Sequence, residues 1–413
     1  MSLKIPKDRP DNLCLAPFIM TRPDVRGLNS PCPFGAGDWK HPHLSASEQW
    51  DAEELNALRQ KHLNNEQASE CKRCYTEESI GKPSLRQRII EQYDGYIKYI
   101  PSPTSGRPVE WGRQGKVDIY EDFIKTEQYK KGPMIIVYRS SNVCNLACRS
   151  CGAHDSNQFD PEGREYLNKY GDGGFFVSKF PATHVPMEEW IPIADNIERL
   201  EFFGGEPLLN ITQYEILQYL VDTDRAKNVS IMYNSNATNK PTDRLKEQWK
   251  HFKNIDISLS IDGIESRFEY LRYPGKWETL LEVVDELQSL DLGIPTKIFG
   301  NMTMTMQNVL NLDEIMEWQN DTFGYYPWIG FAEGPHYMNI RNFSDEVKEQ
   351  ILPLINREEV KNYMQLPATD PTGYEAFLIW MKRMDEYRNQ SFAETFPQLY
   401  EIIQKDFEKQ III

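Results

Sequence analysis

The chain has 413 residues with 46 basic and 62 acidic side chains, and its formal net charge of −16 argues against a broad nucleic-acid-binding surface. Its length predicts two or three domains, and because it is 40% apolar and 12% aromatic, disorder is not expected. No segment approaches the roughly 20 apolar residues of a membrane span, and residues 1–8 lack a signal-peptide core. We therefore expect a cytoplasmic, reducing setting, in which the seven cysteines are not a disulfide framework.

Residues 1–85 are rich in turns and contain one predicted helix, Ser47 to about Leu63. Four cysteines lie in this region, and four is the number of ligands that saturates a metal centre. Gly27 precedes the second of them by five positions, where a hairpin turn would need a positive φ angle. A tetrahedral zinc site is one reading of this set. The four are Cys14, Cys32, Cys71 and Cys74.

Residues 86–133 are a predicted connector, and the proline-rich stretch 101–108 has the composition of a surface loop. From Met134 onward, short apolar runs alternate with amphipathic segments, a pattern that predicts a parallel sheet with helices outside it. The predicted strands are Met134–Tyr138, Arg199–Phe203, Val229–Tyr233, Ile255–Ile261, Thr296–Thr305 and Tyr325–Phe331. The predicted helices are Met187–Asn196, Ile211–Thr223, Thr242–Phe252, Trp277–Leu290, Leu312–Trp318, Asp345–Ile355, Tyr374–Gln390 and Leu399–Lys409.

A CxxxCxxC run, Cys144, Cys148 and Cys151, directly follows the first of these strands. Three thiolates this close in sequence are able to converge on one inorganic centre. A cube of four irons held by three cysteines leaves one iron open for chemistry. The alternatives are a structural zinc ion or three buried thiols.

Polar or glycine-rich turns follow the next strands, and the carboxyl ends of parallel strands meet at one edge. They comprise Gly204-Gly205-Glu206-Pro207, then Ser235-Asn236-Ala237-Thr238, the serines Ser258 and Ser260 before Asp262, then Arg272, and Thr305. Glycines at a strand end let backbone approach a ligand closely, and a guanidinium fork suits a carboxylate. Singly, each of these residues also fits an ordinary cap or surface ion pair.

The cysteine run, together with the Gly-Gly-Glu-Pro turn, resembles the radical S-adenosylmethionine (SAM) enzymes. The resemblance implies an α/β fold with a partial (β/α)6 TIM-like barrel over residues 134–340. The pattern of residues 341–413 predicts a helical C-terminal extension, which the resemblance does not cover. It implies that the three cysteines hold a [4Fe–4S] cluster whose fourth iron binds SAM. It further implies that the SAM amino group meets Gly204–Pro207, that Arg272 meets the carboxylate, and that Ser235, Asn236, Ser258, Ser260 and Thr305 lie near the nucleoside. Two departures from the family pattern are Ser150 before the third cysteine and Ala237 in place of a glycine.

The N-terminal cysteines, with Gly27, resemble the twitch or SPASM modules of the same enzymes. That resemblance implies an auxiliary [4Fe–4S] cluster on Cys14, Cys32, Cys71 and Cys74, with zinc as the alternative. Such modules usually follow the barrel in sequence, whereas here the cysteines precede it.

The expected activity is that of a radical SAM oxidoreductase or maturase. Cleavage of SAM would yield a 5′-deoxyadenosyl radical that abstracts hydrogen from a peptide, a protein or a small polar substrate. The expected partner is a reductant such as flavodoxin or ferredoxin, with neither membrane nor nucleic acid involved. A non-catalytic metal-binding protein and a nucleic-acid-modifying radical enzyme are the alternatives. No catalytic base or hydrogen donor is singled out by spacing.

Overall fold

A sheet of eight strands lies at the centre of the protein, in the order β2-β1-β3-β4-β5-β6-β7-β8. The computed structural model describes residues 10–23, 29–35, 44–93, 119–139, 141–174 and 187–410. Only the β1–β2 pair is antiparallel, and every other pair is parallel. The strands are β1 (Met20–Pro23), β2 (Asn29–Ser30), β3 (Ile135–Arg139), β4 (Arg199–Phe203), β5 (Ser230–Ser235), β6 (Asn254–Ser260), β7 (Thr296–Met304) and β8 (Trp328–Phe331).

Side chains alternate between the two faces of the sheet, as the period of a strand requires. In β6, Ile255, Ile257 and Leu259 are fully buried in a core shared with the flanking helices. Ser258 and Ser260, on the opposite face, point to the interior of the curved sheet. The predicted α/β fold, a partial barrel with helices outside a parallel sheet, is confirmed.

Seventeen α-helices lie in the part of the chain that the structure describes. In the N-terminal half they are α1 (Ala16–Ile19), α2 (Ala46–Trp50), α3 (Glu53–Leu63), α4 (Lys72–Ser79), α5 (Leu85–Tyr93), α6 (Asp160–Tyr170), α7 (Met187–Ile193) and α8 (Gln213–Asp222). The remainder are α9 (Asp243–Trp249), α10 (Glu265–Leu271), α11 (Trp277–Gln288), α12 (Leu312–Phe323), α13 (Asp345–Ile351), α14 (Glu358–Gln365), α15 (Gly373–Arg388), α16 (Phe392–Thr395) and α17 (Pro397–Lys409). Among the described residues, no helix is both long and apolar enough to cross a membrane.

The N-terminal region differs from expectation in two ways. The prediction of one continuous helix from Ser47 to about Leu63 is wrong, because the structure has two helices there, α2 and α3. The chain turns at Asp51, and the side-chain amide of Asn56 donates to the Asp51 carbonyl at 3.0 Å. This break lets Trp50 enter the core, where its Nε1 donates to the Tyr129 carbonyl at 3.0 Å.

The second difference is β1, which pairs in parallel with β3 and was not predicted. The pairing is short, Met20 with Ile135 and Thr21 with Ile136, and the amide of Met134 donates to the Ile19 carbonyl at 2.7 Å. The N-terminal region is therefore attached to the strand that leads into the cysteine run.

The domain divisions at residues 85, 133 and 340 stay predictions, and Gly27 and the stretch 101–108 lie outside the described residues.

Candidate active site

The cysteine run leaves β3 and folds against the segment that follows α10. Cys144 and Cys148 are buried and Cys151 is partly buried. The amide of Ala147 donates to the Tyr273 carbonyl at 2.6 Å, and the amide of Arg149 donates to the Leu271 carbonyl at 2.8 Å. These backbone hydrogen bonds fix the loop on one side, so the cysteine positions do not depend on the side chains alone.

Several donors point at the cysteine sulfurs. The Leu146 amide lies 3.4 Å and the Asn236 Nδ2 3.7 Å from the Cys144 Sγ, and the Arg272 Nη1 lies 3.9 Å from the Cys148 Sγ. Hydrogen bonds and positive charge of this kind favour a thiolate, the form that binds metal. The donor set of this loop therefore fits a thiolate-ligated iron–sulfur cluster.

The Gly-Gly-Glu-Pro turn at the end of β4 lies directly against the start of the cysteine loop. The amide of Glu206 donates to the Val143 carbonyl at 2.8 Å. Gly204 and Gly205 have φ angles of 82° and 56°, in the left-handed region that favours glycine. A Cβ atom on Gly205 would lie 2.3 Å from the Val143 carbonyl oxygen. Only glycine at this position allows the two loops to approach so closely.

We expect Gly205→Ala to destabilise the protein and to weaken cluster retention. The positive φ costs about 1 kcal/mol, and the clash with Val143 adds roughly 1–3 kcal/mol more. Gly293 is the matched control, because it also has a positive φ (68°) but a Cβ there would meet nothing within 4 Å. Chemical denaturation of both variants separates the two costs, and equal losses of free energy of unfolding would contradict the close approach.

The Glu206 side chain is fully buried and bridges the ends of β4 and β5. Its Oε2 accepts from the Asn236 amide at 2.6 Å, and its Oε1 accepts from the Leu208 amide at 3.1 Å. Pro207 begins the short turn that presents the Leu208 amide. Burial raises the pKa of Glu206 to about 7, despite these hydrogen bonds. The carboxylate thus holds two strand ends together beside the cysteine loop.

This pKa shift predicts a pH dependence of stability. Between the usual pKa, near 4.5, and about 7, the folded state binds a proton that the unfolded state has lost. The free energy of unfolding should therefore fall as the pH rises through this window, by about 1.4 kcal/mol for each pKa unit. Glu206→Gln does not titrate and should lack this component. Denaturation of both proteins at pH 5 and pH 8 tests it: parallel pH profiles would contradict the prediction.

The turn after β5 brings Asn236 and Ala237 to the cysteine loop. Asn236 Nδ2 donates to the Asn145 Oδ1 at 2.8 Å, and Asn145 Nδ2 donates to the Thr238 Oγ1 at 2.9 Å. Ala237 adopts a φ of 62°, so the turn keeps a glycine-like left-handed conformation with alanine in place. The cost of this is about 1 kcal/mol. Ser235 is buried and its hydroxyl accepts from the Ala237 amide at 3.1 Å.

Arg272 is buried and is held by Asp262 at the end of β6. Its Nη2 lies 2.6 Å from the Asp262 Oδ2, while its Nε has no hydrogen-bond partner in the described part of the chain. Burial opposes the charge, but Asp262, Cys148 and Cys151 together raise the pKa of Arg272. The guanidinium is therefore charged, and it retains an unused donor next to the cysteine loop.

The other predicted contacts lie further along the same sheet edge. Ser258 accepts a short hydrogen bond from the Asn301 Nδ2, and Ser260 lies two residues beyond it on the same face. The amide and the hydroxyl of Thr305 both donate to the Asn308 Oδ1, at 2.8 and 3.2 Å. Of the residues predicted to contact SAM, those that hydrogen-bond directly to the cysteine loop are Glu206, Asn236 and Arg272.

The four N-terminal cysteines come together although they lie on separate segments. Burial, followed by the neighbouring Cys71, Cys74 and Cys32, raises the pKa of the Cys14 thiol. Cys14 precedes α1, Cys32 follows β2, and Cys71 and Cys74 lie at the start of α4. In the described ranges, no three His, Cys, Asp or Glu side chains have the arrangement of a single-ion metal site.

His62 is a neighbour of this set that sequence spacing did not reveal. It is fully buried, its Nδ1 lies 2.8 Å from the Asn12 carbonyl oxygen, and its Nε2 lies 3.6 Å from the Cys71 Sγ. A carbonyl partner at Nδ1 places the proton on that nitrogen, so Nε2 faces the cysteine with its lone pair.

The C-terminal helices hold the cysteine loop through Arg149, which lies between the second and third cysteines. Arg149 is fully buried, and its Nη2 lies 2.5 Å from the Asp385 Oδ1 of α15 and 3.0 Å from the Gln390 Oε1. Its guanidinium also stacks on the Tyr270 ring, 3.6 Å from the centroid. The C-terminal helices thus hold the cysteine loop directly through a buried side chain.

Parts of the chain are similar to known proteins. The Radical SAM superfamily model matches residues 138–320. An uncharacterized protein of Methanocaldococcus jannaschii is 26% identical over 189 residues, which cover 44% of this chain and 57% of that relative, so the match spans just over half of its length. The structure of histidine-tagged anSMEcpe with bound AdoMet has 14% identity and a TM-score of 0.36, covering 62% of this chain and 59% of that chain. Streptococcus suis SuiB bound to the precursor peptide SuiA has 13% identity and a TM-score of 0.33, covering 80% and 64%.

Proposed function

We propose that the chain cleaves SAM reductively and abstracts hydrogen from a substrate, because residues 138–320 match the Radical SAM superfamily model. The observation that carries this proposal is the packing of the double-glycine turn against the cysteine loop. The Glu206 amide bonds the Val143 carbonyl, and a side chain on Gly205 would collide with it. This arrangement leaves a backbone cradle beside the three cysteines, and the Cys144 and Cys148 sulfurs receive N–H donors.

In this proposal Cys144, Cys148 and Cys151 hold a [4Fe–4S] cluster. When bound, the cluster and SAM supply a 5′-deoxyadenosyl radical. The chain's own residues orient the cofactor: the backbone of Gly204 and Gly205 meets the SAM amino group. Arg272 is proposed to bind the SAM carboxylate. The remaining proposed contacts, around the amino-acid and nucleoside portions of SAM, are Glu206, Pro207, Ser235, Asn236, Ser258, Ser260 and Thr305.

The free Nε of Arg272 supports its assignment. Its Nη2 contacts Asp262 and its Nη1 points to the Cys148 sulfur, so Nε is the guanidinium nitrogen that is left without a partner among the described residues. A carboxylate at this nitrogen would satisfy a buried group that has no partner among the described residues. Asp262 keeps the guanidinium in place, since its other oxygen accepts from the Thr303 amide at 2.7 Å.

We propose further that the N-terminal cysteines hold an auxiliary centre. Cys14, Cys32, Cys71 and Cys74 saturate a second [4Fe–4S] cluster, and a zinc ion is the alternative occupant. A closed cluster would pass or accept an electron during substrate oxidation. The substrate is a peptide, a protein or a small polar molecule, and the partner is a flavodoxin- or ferredoxin-type reductant.

The test is anaerobic incubation of the reconstituted, reduced protein with SAM, followed by measurement of 5′-deoxyadenosine and methionine. Both products should form in equal amounts with the wild type. They should be absent with the Cys144/Cys148/Cys151→Ala variant. A wild-type protein with full cluster content that leaves SAM intact would contradict the proposed activity.

A further inference from the structure

Helix α5 carries a cation, Arg88, to the interior face of the barrel sheet. The Arg88 guanidinium lies over the Trp328 ring, 4.1 Å from its centroid. Trp328 pairs in register with Asn301, which in turn pairs with Ser260. Paired residues of neighbouring strands share a face, so all three point into the barrel interior. Arg88 therefore lies at the level of Ser260, the last residue of β6, and of Trp328, the first residue of β8.

Arg88 has no acidic partner within ion-pair distance among the described residues. Its Nε makes one long hydrogen bond, 3.4 Å, to the Ser84 carbonyl oxygen. Glu77, Cys74 and Glu201 act on its charge, and both of these carboxylates are bonded to other cations. Lys82 lies 2.6 Å from Glu77, and Arg199 lies 2.6 Å from Glu201.

Positive charge is in excess at this place. Besides Arg88, the Lys82 ammonium lies 4.5 Å from the centroid of the Trp328 ring, and Arg73 lies 3.9 Å from Glu77. Lys82 and Arg73 therefore share the Glu77 carboxylate, and Arg88 lies beside them without an ion pair of its own. Burial lowers the pKa of the Arg88 guanidinium, which means that the charge is held here at a cost. An anion of matching shape would relieve that cost.

We propose that Arg88 recognises a carboxylate group of the substrate inside the barrel. This inference rests on the proposed function, because it takes the barrel interior as the place where the substrate binds. Stacking on Trp328 fixes the plane of the guanidinium and leaves its two terminal nitrogens to meet a carboxylate bidentately. The substrate class is thereby narrowed to molecules or peptides with a carboxylate near the reacting carbon.

The probe is 13C-labelled acetate, with acetamide as its neutral isostere, added to the anaerobic holoenzyme without SAM. Acetate should show concentration-dependent NMR line broadening with the wild type, and acetamide should not. Arg88→Met should weaken acetate binding at least about tenfold, the loss that corresponds to about 1.4 kcal/mol. Arg88→Lys should bind better than Arg88→Met, because it keeps the charge.

The matched control is Arg244→Met, since Arg244 also stacks on an aromatic ring, 4.5 Å from the Tyr214 centroid, but is exposed on α9. It should bind acetate as the wild type does. Unchanged acetate binding in Arg88→Met, or equal losses in Arg88→Lys and Arg88→Met, would overturn the proposal. If Arg88→Met bound acetate unchanged but shifted the reduction potential of the N-terminal centre, Arg88 would instead balance the charge of the N-terminal cysteines, of which Cys74 is the one near it. Because SAM is absent, failure of SAM cleavage would not affect this result.

Discussion

Replacement of Cys144, Cys148 and Cys151 by alanine is expected to lower the iron content of the reconstituted protein from about eight to about four per chain. Sulfide should fall in parallel. The remaining iron would belong to the N-terminal set, whose four cysteines lie together on separate segments. Formation of 5′-deoxyadenosine should be lost entirely. Only the four cysteines of the N-terminal set would remain, and none would be left to replace the cluster of the CxxxCxxC loop.

The reciprocal variant, Cys71/Cys74→Ala, serves as the control for this experiment. It should also retain about four irons, now on the CxxxCxxC loop. A different result would make the N-terminal centre a zinc site: the wild type would hold about four irons and one zinc, and the triple variant would hold no iron but retain the zinc. Unchanged iron in the triple variant would contradict the assignment of the loop.

The second large effect is expected at the contact between the C-terminal helices and the cysteine loop. Asp385→Asn removes the charge that faces the buried Arg149, and we expect the free energy of unfolding to fall by about 3 kcal/mol. The loss should be this large because Asp385 also accepts from the Tyr270 hydroxyl at 2.7 Å and from the Phe392 amide at 2.6 Å. Cluster loss on exposure to a chelator should be faster, since Arg149 lies inside the loop.

Glu386 provides the matched control, one residue further along α15. Its ion pair with Lys169 has the same nominal charges, but the side chains are 51% and 46% exposed. Glu386→Gln should therefore cost less than about 1 kcal/mol and leave cluster retention unchanged. If both variants lost the same stability, the Arg149–Asp385 contact would not be what holds the loop.

The strands of the barrel could be predicted because each has a local signature. Arg199–Phe203 contains three apolar residues and is followed directly by two glycines, and the structure has this strand at the predicted residues. Strand β1 has no such signature, since Met20–Pro23 is four residues long and ends in proline within a turn-rich region. Its place is decided by pairing with β3, more than 100 positions later in the chain.

The same distinction applies to the site. The turn at Gly204 and the loop at Cys144 are readable because the residue types and their order carry the pattern. The contact between Arg149 and Asp385 joins residues 236 positions apart, and no local sequence pattern predicts it. The partners of Glu206 could not be predicted from the sequence either. Its carboxylate accepts from the Asn236 and Leu208 amides, and the Gly-Gly-Glu-Pro motif alone does not indicate these hydrogen bonds.

The N-terminal cysteines and the CxxxCxxC loop are connected through neighbouring strands. Strand β1 begins shortly after Cys14 and pairs with β3, and β3 leads into Cys144. A rearrangement at one cysteine set would therefore be transmitted to the other through hydrogen-bonded backbone. This connection gives the proposed auxiliary centre a fixed place relative to the barrel.

The most direct measurement is electron paramagnetic resonance of the anaerobically reduced protein, recorded with and without SAM. An open iron on the Cys144, Cys148 and Cys151 cluster predicts a reduced-cluster signal whose g values change when SAM is added. The Cys71/Cys74→Ala variant should show the same change, because its CxxxCxxC loop is intact. A wild-type signal of full intensity that SAM leaves unchanged would contradict the claim that this loop binds SAM through an open iron.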